Sequence, residues 1–137
     1  MSWQDCLDKG DALKITPNLR RASSLKRSAK NMLRFIVGIK VDDNNAAIML
    51  KNAYDALLEI LHSMLYAKGY SVLNHICVGY FIRDELKDME SFHVFDKYRK
   101  IRNGIVYYGE EIEKEVADNG IKEIKEIFSK IEKQISF

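Results

Sequence analysis

Ala22, Leu25, Ala29, Met32, Ile36 and Ile39 recur at intervals of 3-4-3-4-3. That spacing lays one apolar stripe along an amphipathic helix. Ala46, Leu50, Ala53, Leu57, Ile60 and Met64 repeat the pattern, and Leu58, Leu61 and Leu65 thicken it. So wide a stripe predicts a central helix with neighbours on several sides. Ile121, Ile124, Phe128, Ile131 and Ile135 recur at 3-4-3-4 and predict a last helix from about Asn119-Gly120 to Ile135. No segment alternates with period two for long enough to predict a strand.

The punctuation fits these helices. Ser2 can cap a short first helix ending near Leu13. Thr16-Pro17 opens the next, with Thr as N-cap and Pro at the first helical position. Asp42-Asp43-Asn44-Asn45 reads as a loop that can cap the central helix, and Gly69 as a helix stop. A shorter helix is expected from about Leu73 to Leu86, and another from about Ser91 to Tyr108, ending at Gly109. Short connections between long helices predict an all-α fold, an antiparallel up-and-down helical bundle of about five helices. At 137 residues the chain is expected to form a single domain, 1–137.

Composition narrows the function classes. Apolar residues make up 47% and charged residues 31%, as in folded globular proteins. No apolar run is long enough to span a membrane. The start, Met1-Ser2-Trp3-Gln4-Asp5, is expected not to be a secretory signal. Cys6 and Cys77 form no CxxC pair and are expected to be two reduced thiols in a cytoplasmic protein. His62, His75 and His93 lack zinc-site spacing, so neither metal nor cofactor is expected. The net charge of +2 hides an asymmetry, because Lys9 to Lys40 contains nine basic residues and only Asp11 as an acid. Such a stripe either attracts phosphates or is a solvated face docking on an acidic neighbour.

The segment Tyr98-Arg99-Lys100-Ile101-Arg102-Asn103-Gly104-Ile105-Val106-Tyr107-Tyr108-Gly109 could carry chemistry. On a wheel of roughly 100° per residue, Phe95, Tyr98, Ile101, Ile105 and Tyr108 form a stripe expected to face the core. Arg99, Asn103 and Tyr107 share another face, with Val106 joining it and Arg102 at the edge. Two guanidiniums, an amide and a phenol suit a phosphate. The alternative is an ordinary solvated helix face.

This pattern resembles the HEPN family (higher eukaryotes and prokaryotes nucleotide-binding domains). Members are helical bundles of similar size, and many carry an Arg, usually followed by Asn, with a His five residues after the Arg. Arg102-Asn103 stands in the Arg-Asn place. Upstream, Ala53-Tyr54-Asp55-Ala56-Leu57 and Leu65-Tyr66-Ala67-Lys68-Gly69-Tyr70 resemble the long helix and Lys-Gly-Tyr stop of prokaryotic HEPN proteins, with His75 following where such proteins often have a His. The resemblance covers roughly residues 19–135. It departs from the family where Tyr107 takes the place of the motif His. Family members that cut RNA need no metal: the ribose 2′-hydroxyl attacks the adjacent phosphate, the His assists proton transfer and the Arg stabilises developing charge. A phenol, with a reference pKa near 10, is a poor general base at neutral pH.

The resemblance implies Arg102, Asn103 and Tyr107 as a degenerate catalytic set and Arg99, Lys68 and His75 as binding residues. It implies a nucleotide- or RNA-binding module with ribonuclease activity absent or much reduced. It also implies a homodimer, sometimes beside a small nucleotidyltransferase in a toxin–antitoxin-like pair. Two alternatives stand beside it: an active metal-independent endoribonuclease, with Arg102 stabilising the phosphate and Tyr107, or His75 or His93 folded into the groove, handling protons, and a structural helical dimer that binds no nucleic acid. Wide apolar stripes, with Trp3 and Phe137 near the chain ends, favour a symmetric dimer in any case.

Overall fold

The computed structural model describes all of residues 1–137. Its helices are α1 (Trp3–Lys9), α2 (Leu19–Val37), α3 (Ala46–Lys68), α4 (His75–Asp84), α5 (Met89–Tyr108) and α6 (Lys114–Lys133). Two short strands, β1 (Ala12–Lys14) and β2 (Tyr70–Val72), pair antiparallel with Leu13 opposite Ser71. The fold is thus a helical bundle, with six helices rather than about five and a small ribbon that the hydropathy pattern did not predict.

α3 is the central helix. Twelve of its 23 residues are buried, and it packs against α2, α4, α5, α6 and β2. Ser63 is the buried polar exception, and its hydroxyl donates to the Ala22 carbonyl of α2 at 2.7 Å. A hydroxyl in that position must find an acceptor or carry a desolvation penalty, and here it fixes α2 against α3.

The ribbon explains why Thr16-Pro17 does not start a helix. Gly69 turns the chain at φ +90° after α3, and β2 then runs back along β1. Ile15 N–H donates to the Gly69 carbonyl and Asn18 N–H to the Tyr66 carbonyl, so residues 15–18 form an extended strap over the end of α3. A Cβ at position 69 would lie 2.8 Å from the Ile15 carbonyl oxygen, so only glycine permits both the turn and the close approach. The N-cap of α2 is Asn18, whose side chain accepts from Arg21 N–H.

Gly120 corrects the start of α6. It lies inside the helix, where a Cβ would meet Leu50 at 2.5 Å and Tyr98 at 2.8 Å. It lets three helices close on one another rather than breaking one. The true entry is held by the loop between α2 and α3: Asp43 accepts from Lys114 N–H at 2.9 Å. Trp3 is also internal, buried at 3% exposure and set edge-on against Tyr70 and Phe81. It does not contribute the exposed ring expected near the chain start. Tyr108, expected in the core, is 81% exposed because α5 runs past the bundle before Gly109 ends it. No helix is long and apolar enough to cross a membrane.

Cys6 and Cys77 form a disulfide, against the expectation of two reduced thiols. They are 71 positions apart in sequence, but α1 packs on α4 and brings their Cα atoms to 6.0 Å. Both are buried, and the bond joins the first helix to the start of α4. Closing so long a loop disfavours the unfolded chain, so reduction is expected to lower stability by about 2–4 kcal/mol. Denatured, unreduced protein should show no reactive thiol and gain two hydrogens in mass on reduction. Two free thiols in protein prepared without reductant would contradict the pairing.

Candidate phosphate-binding groove

α3 carries a polar stripe on its otherwise apolar surface. Asp55, Glu59, His62 and Tyr66 follow one another at spacings of 4-3-4, which keeps them on one face. With Arg21 and Leu25 of α2, Leu58 of α3, His75 at the start of α4 and Arg102 of α5, they line a cavity of about 380 Å³. A second cavity, of about 330 Å³, is lined by Leu73, Asn74, His75, Ile76, Arg99, Arg102, Asn103 and Tyr107. His75 and Arg102 belong to both, so the two hollows form one groove with this pair at its centre.

Five of the six residues singled out in the sequence therefore meet: Arg99, Arg102, Asn103, Tyr107 and His75. Lys68 does not join them. It is exposed in the last turn of α3, roughly 200° around the helix from Tyr66, and lines neither cavity. His93 is exposed on α5 and also lies outside the groove. Arg21, Tyr54, Asp55, Glu59, His62 and Tyr66 were not assigned to a site from the sequence pattern. The stripe at 55, 59, 62 and 66 is the signal that could have found four of them.

Each arginine is held differently. Arg99 Nε and Nη2 lie 3.0 and 2.9 Å from one Asp96 oxygen, while Lys100 pairs with the other oxygen at 3.2 Å. Burial works to raise the Asp96 pKa, but the hydrogen bonds from Arg99 and Lys100 outweigh it and hold the carboxyl below its ordinary value. Arg99 is thus splayed along its own helix. Arg102 Nε approaches Asp55 at 3.4 Å, close enough for charge attraction, yet this buried nitrogen has no hydrogen-bond partner. Asp55 turns its other oxygen to Lys51 at 3.1 Å. A buried guanidinium N–H without an acceptor is unusual, because each such donor carries a desolvation cost. Nε itself is enclosed and faces Asp55; the Arg102 Nη groups, which form no hydrogen bond in the chain and are not enclosed, are the donors an anion in the groove reaches.

His75 is set by Tyr54. The Tyr54 hydroxyl lies 3.2 Å from His75 Nδ1, and Tyr54 is fully buried. Burial raises the pKa of its phenol above the ordinary value, with the charges of Arg99 and Arg102 opposing, so it keeps its proton. Burial and the nearby Arg102 charge lower the pKa of His75, against the pull of Asp55, so the ring favours its neutral form. The buried phenol has one proton to donate and Nδ1 is its hydrogen-bond partner. A phenol that donates to Nδ1 leaves the ring's own proton on Nε2, and in that tautomer a neutral His75 presents an N–H beside Arg102.

Burial, with His75 and Arg21 nearby, pushes His62 down to about 4. The groove's fixed charges are then Arg21, Arg99 and Arg102 against Asp55 and Glu59. By contrast, the largest concavity, about 930 Å³, is lined by Asp43, Glu110, Glu111, Glu113 and Glu115 and repels anions. The basic stripe has divided roles: Arg21 faces the groove, while Lys30 pairs with Glu132 of α6 at 3.3 Å.

Comparison of the chain with protein-family models, with curated proteins and with solved structures finds no match.

The depressed histidines link stability to pH. The unfolded chain binds a proton near pH 6.5, whereas folded His62 does so only near pH 4. The His62 contribution is present above about pH 6.5 and is lost as pH falls toward 4, and His75 acts in the same direction. Unfolding free energies from urea titrations should drop between pH 7.5 and pH 5, by at most about 1.4 kcal/mol per pH unit for each histidine. The drop should be shallower in His62→Gln, and an equal slope in that variant would contradict the assignment.

Proposed function

We propose that the chain is a HEPN-like module that binds RNA or a nucleotide by a phosphate group, with ribonuclease activity weak or absent. The observation that carries this reading is that Arg102, whose Nη groups form no hydrogen bond in the chain, and His75 both line the two hollows of the groove. Guanidinium and imidazole N–H groups are the donors a phosphate accepts from. Asn103 can hydrogen-bond a ribose hydroxyl or base edge, and Tyr107, 69% exposed, offers a ring for stacking at the mouth.

The same geometry speaks for holding rather than cutting. Attack by a ribose 2′-hydroxyl needs a base to take its proton. In the tautomer that a donating Tyr54 leaves, the Nε2 of His75 already carries one, and a phenol at position 107 does not replace an imidazole. An active endoribonuclease is the second reading, because His75 does stand at Arg102; it requires the Tyr54 contact to break and the tautomer to reverse.

The exposed Leu73 and Ile76 at the edge of the groove favour a second copy docking beside it, as the homodimer reading expects, with Tyr107 left open. A small nucleotidyltransferase is the alternative occupant. In the cytoplasm, the setting expected of such a module, the Cys6–Cys77 pair would be kept largely reduced.

A mixed RNA pool incubated with the protein in EDTA, beside Arg102→Ala, tests the reading in one gel. Intact RNA with a shift that the variant weakens about tenfold or more is expected. Cleavage by wild type but not by the variant would replace it with the ribonuclease. Neither cleavage nor a shift would leave a structural helical dimer.

A further inference from the structure

The two halves of the groove differ in chemistry. Building on the phosphate reading, we infer that the site takes a single-stranded RNA segment of at least two nucleotides, one base stacking in the Arg21–Tyr66 half and the next lying toward Tyr107, with the linking phosphate at Arg102 and His75.

Arg21 lies over the Tyr66 ring, its guanidinium carbon 4.4 Å from the ring centroid. This cation–π contact holds the guanidinium as a planar platform. Stacking on arginine and aromatic planes is how unpaired bases are gripped. Leu25 and Leu58 supply apolar walls in the same cavity, and a base has two apolar faces to present to them. Glu59 would repel a phosphate in that half, while Asp55, already 3.4 Å from Arg102, would have to share that guanidinium with a phosphate at the shared wall. Glu59, with no ion-pair partner in the chain, is instead an acceptor for a base amino group. His62, neutral at pH 7, hydrogen-bonds a base edge without adding charge.

The two hollows, about 380 and 330 Å³, share Arg102 and His75 and have otherwise separate linings. That arrangement matches a phosphodiester flanked by two nucleosides, and it calls on one protomer alone.

The test is fluorescence anisotropy at pH 7 with a labelled cytidine hexamer, and competition by CMP. Wild type should bind the hexamer at least about tenfold more tightly than CMP, and Arg21→Ala/Tyr66→Leu should collapse that ratio toward one. Arg21 is exposed, so Arg21→Ala alone, checked by circular dichroism, should reduce the ratio without unfolding the chain. A uridine hexamer, lacking the amino group, should bind more weakly than cytidine. An unchanged ratio in both variants, with Arg102→Ala still abolishing hexamer binding, would overturn the second base subsite and leave the phosphate reading standing. No hexamer binding by wild type would overturn both.

Discussion

α3 is packed on by four other helices and by β2, and that enclosure governs what its polar residues can do. A polar atom on such a helix loses water and must be answered by a neighbour. Ser63 is answered by the Ala22 carbonyl and Tyr54 by the His75 ring. Asp55 is shared between Lys51 and Arg102. The groove results from this: α2, α4 and α5 bring the partners of the α3 stripe to one place. His75 is held there twice, by Tyr54 through its side chain and by α4 through its backbone. Asn74 caps that helix and α1 packs against it.

The arginines show why proximity is not equivalence. Arg99 and Arg102 lie one turn apart, and each faces a carboxylate. The Asp96 side chain meets Arg99 with well-formed hydrogen bonds, which satisfies it. Asp55 meets Arg102 at 3.4 Å without a hydrogen bond at Nε. Charge neutralisation without hydrogen-bond satisfaction keeps a guanidinium in place while leaving it able to bind. The second arginine is therefore the stronger candidate for ligand contact, although wheel geometry had put it only at the edge of the polar face.

Much of the fold was legible because helical periodicity is a direct reading of burial. The stripes at 22–39 and 46–64 and the wide surface of α3 mark the core helices, and Gly69 and Gly109 mark their ends. The rest depends on tertiary contacts that periodicity does not encode. Gly120 looks like a breaker but serves close packing. Thr16-Pro17 looks like a helix start but is strapped over the end of α3 by Gly69. The disulfide joins residues that only the docking of α1 on α4 brings together. In the site, Arg102, Asn103 and Tyr107 could be grouped because they share one helix, and His75 was named from the resemblance. The Arg21–Tyr66 pair was invisible, since it joins two helices 45 positions apart.

On the proposed reading, Arg102 and a neutral, Nε2-protonated His75 together hold a phosphate. Long-range ¹H–¹⁵N correlation of the histidine rings at pH 7, with the Arg102 Nε–H signal followed as a short single-stranded RNA is added, addresses both partners at once. The expected result is a His75 ring with Nδ1 unprotonated and Nε2 protonated, and an Arg102 Nε–H signal that shifts saturably with RNA. A His75 ring protonated on Nδ1 alone, or an Arg102 signal that stays still while RNA binds, would contradict it.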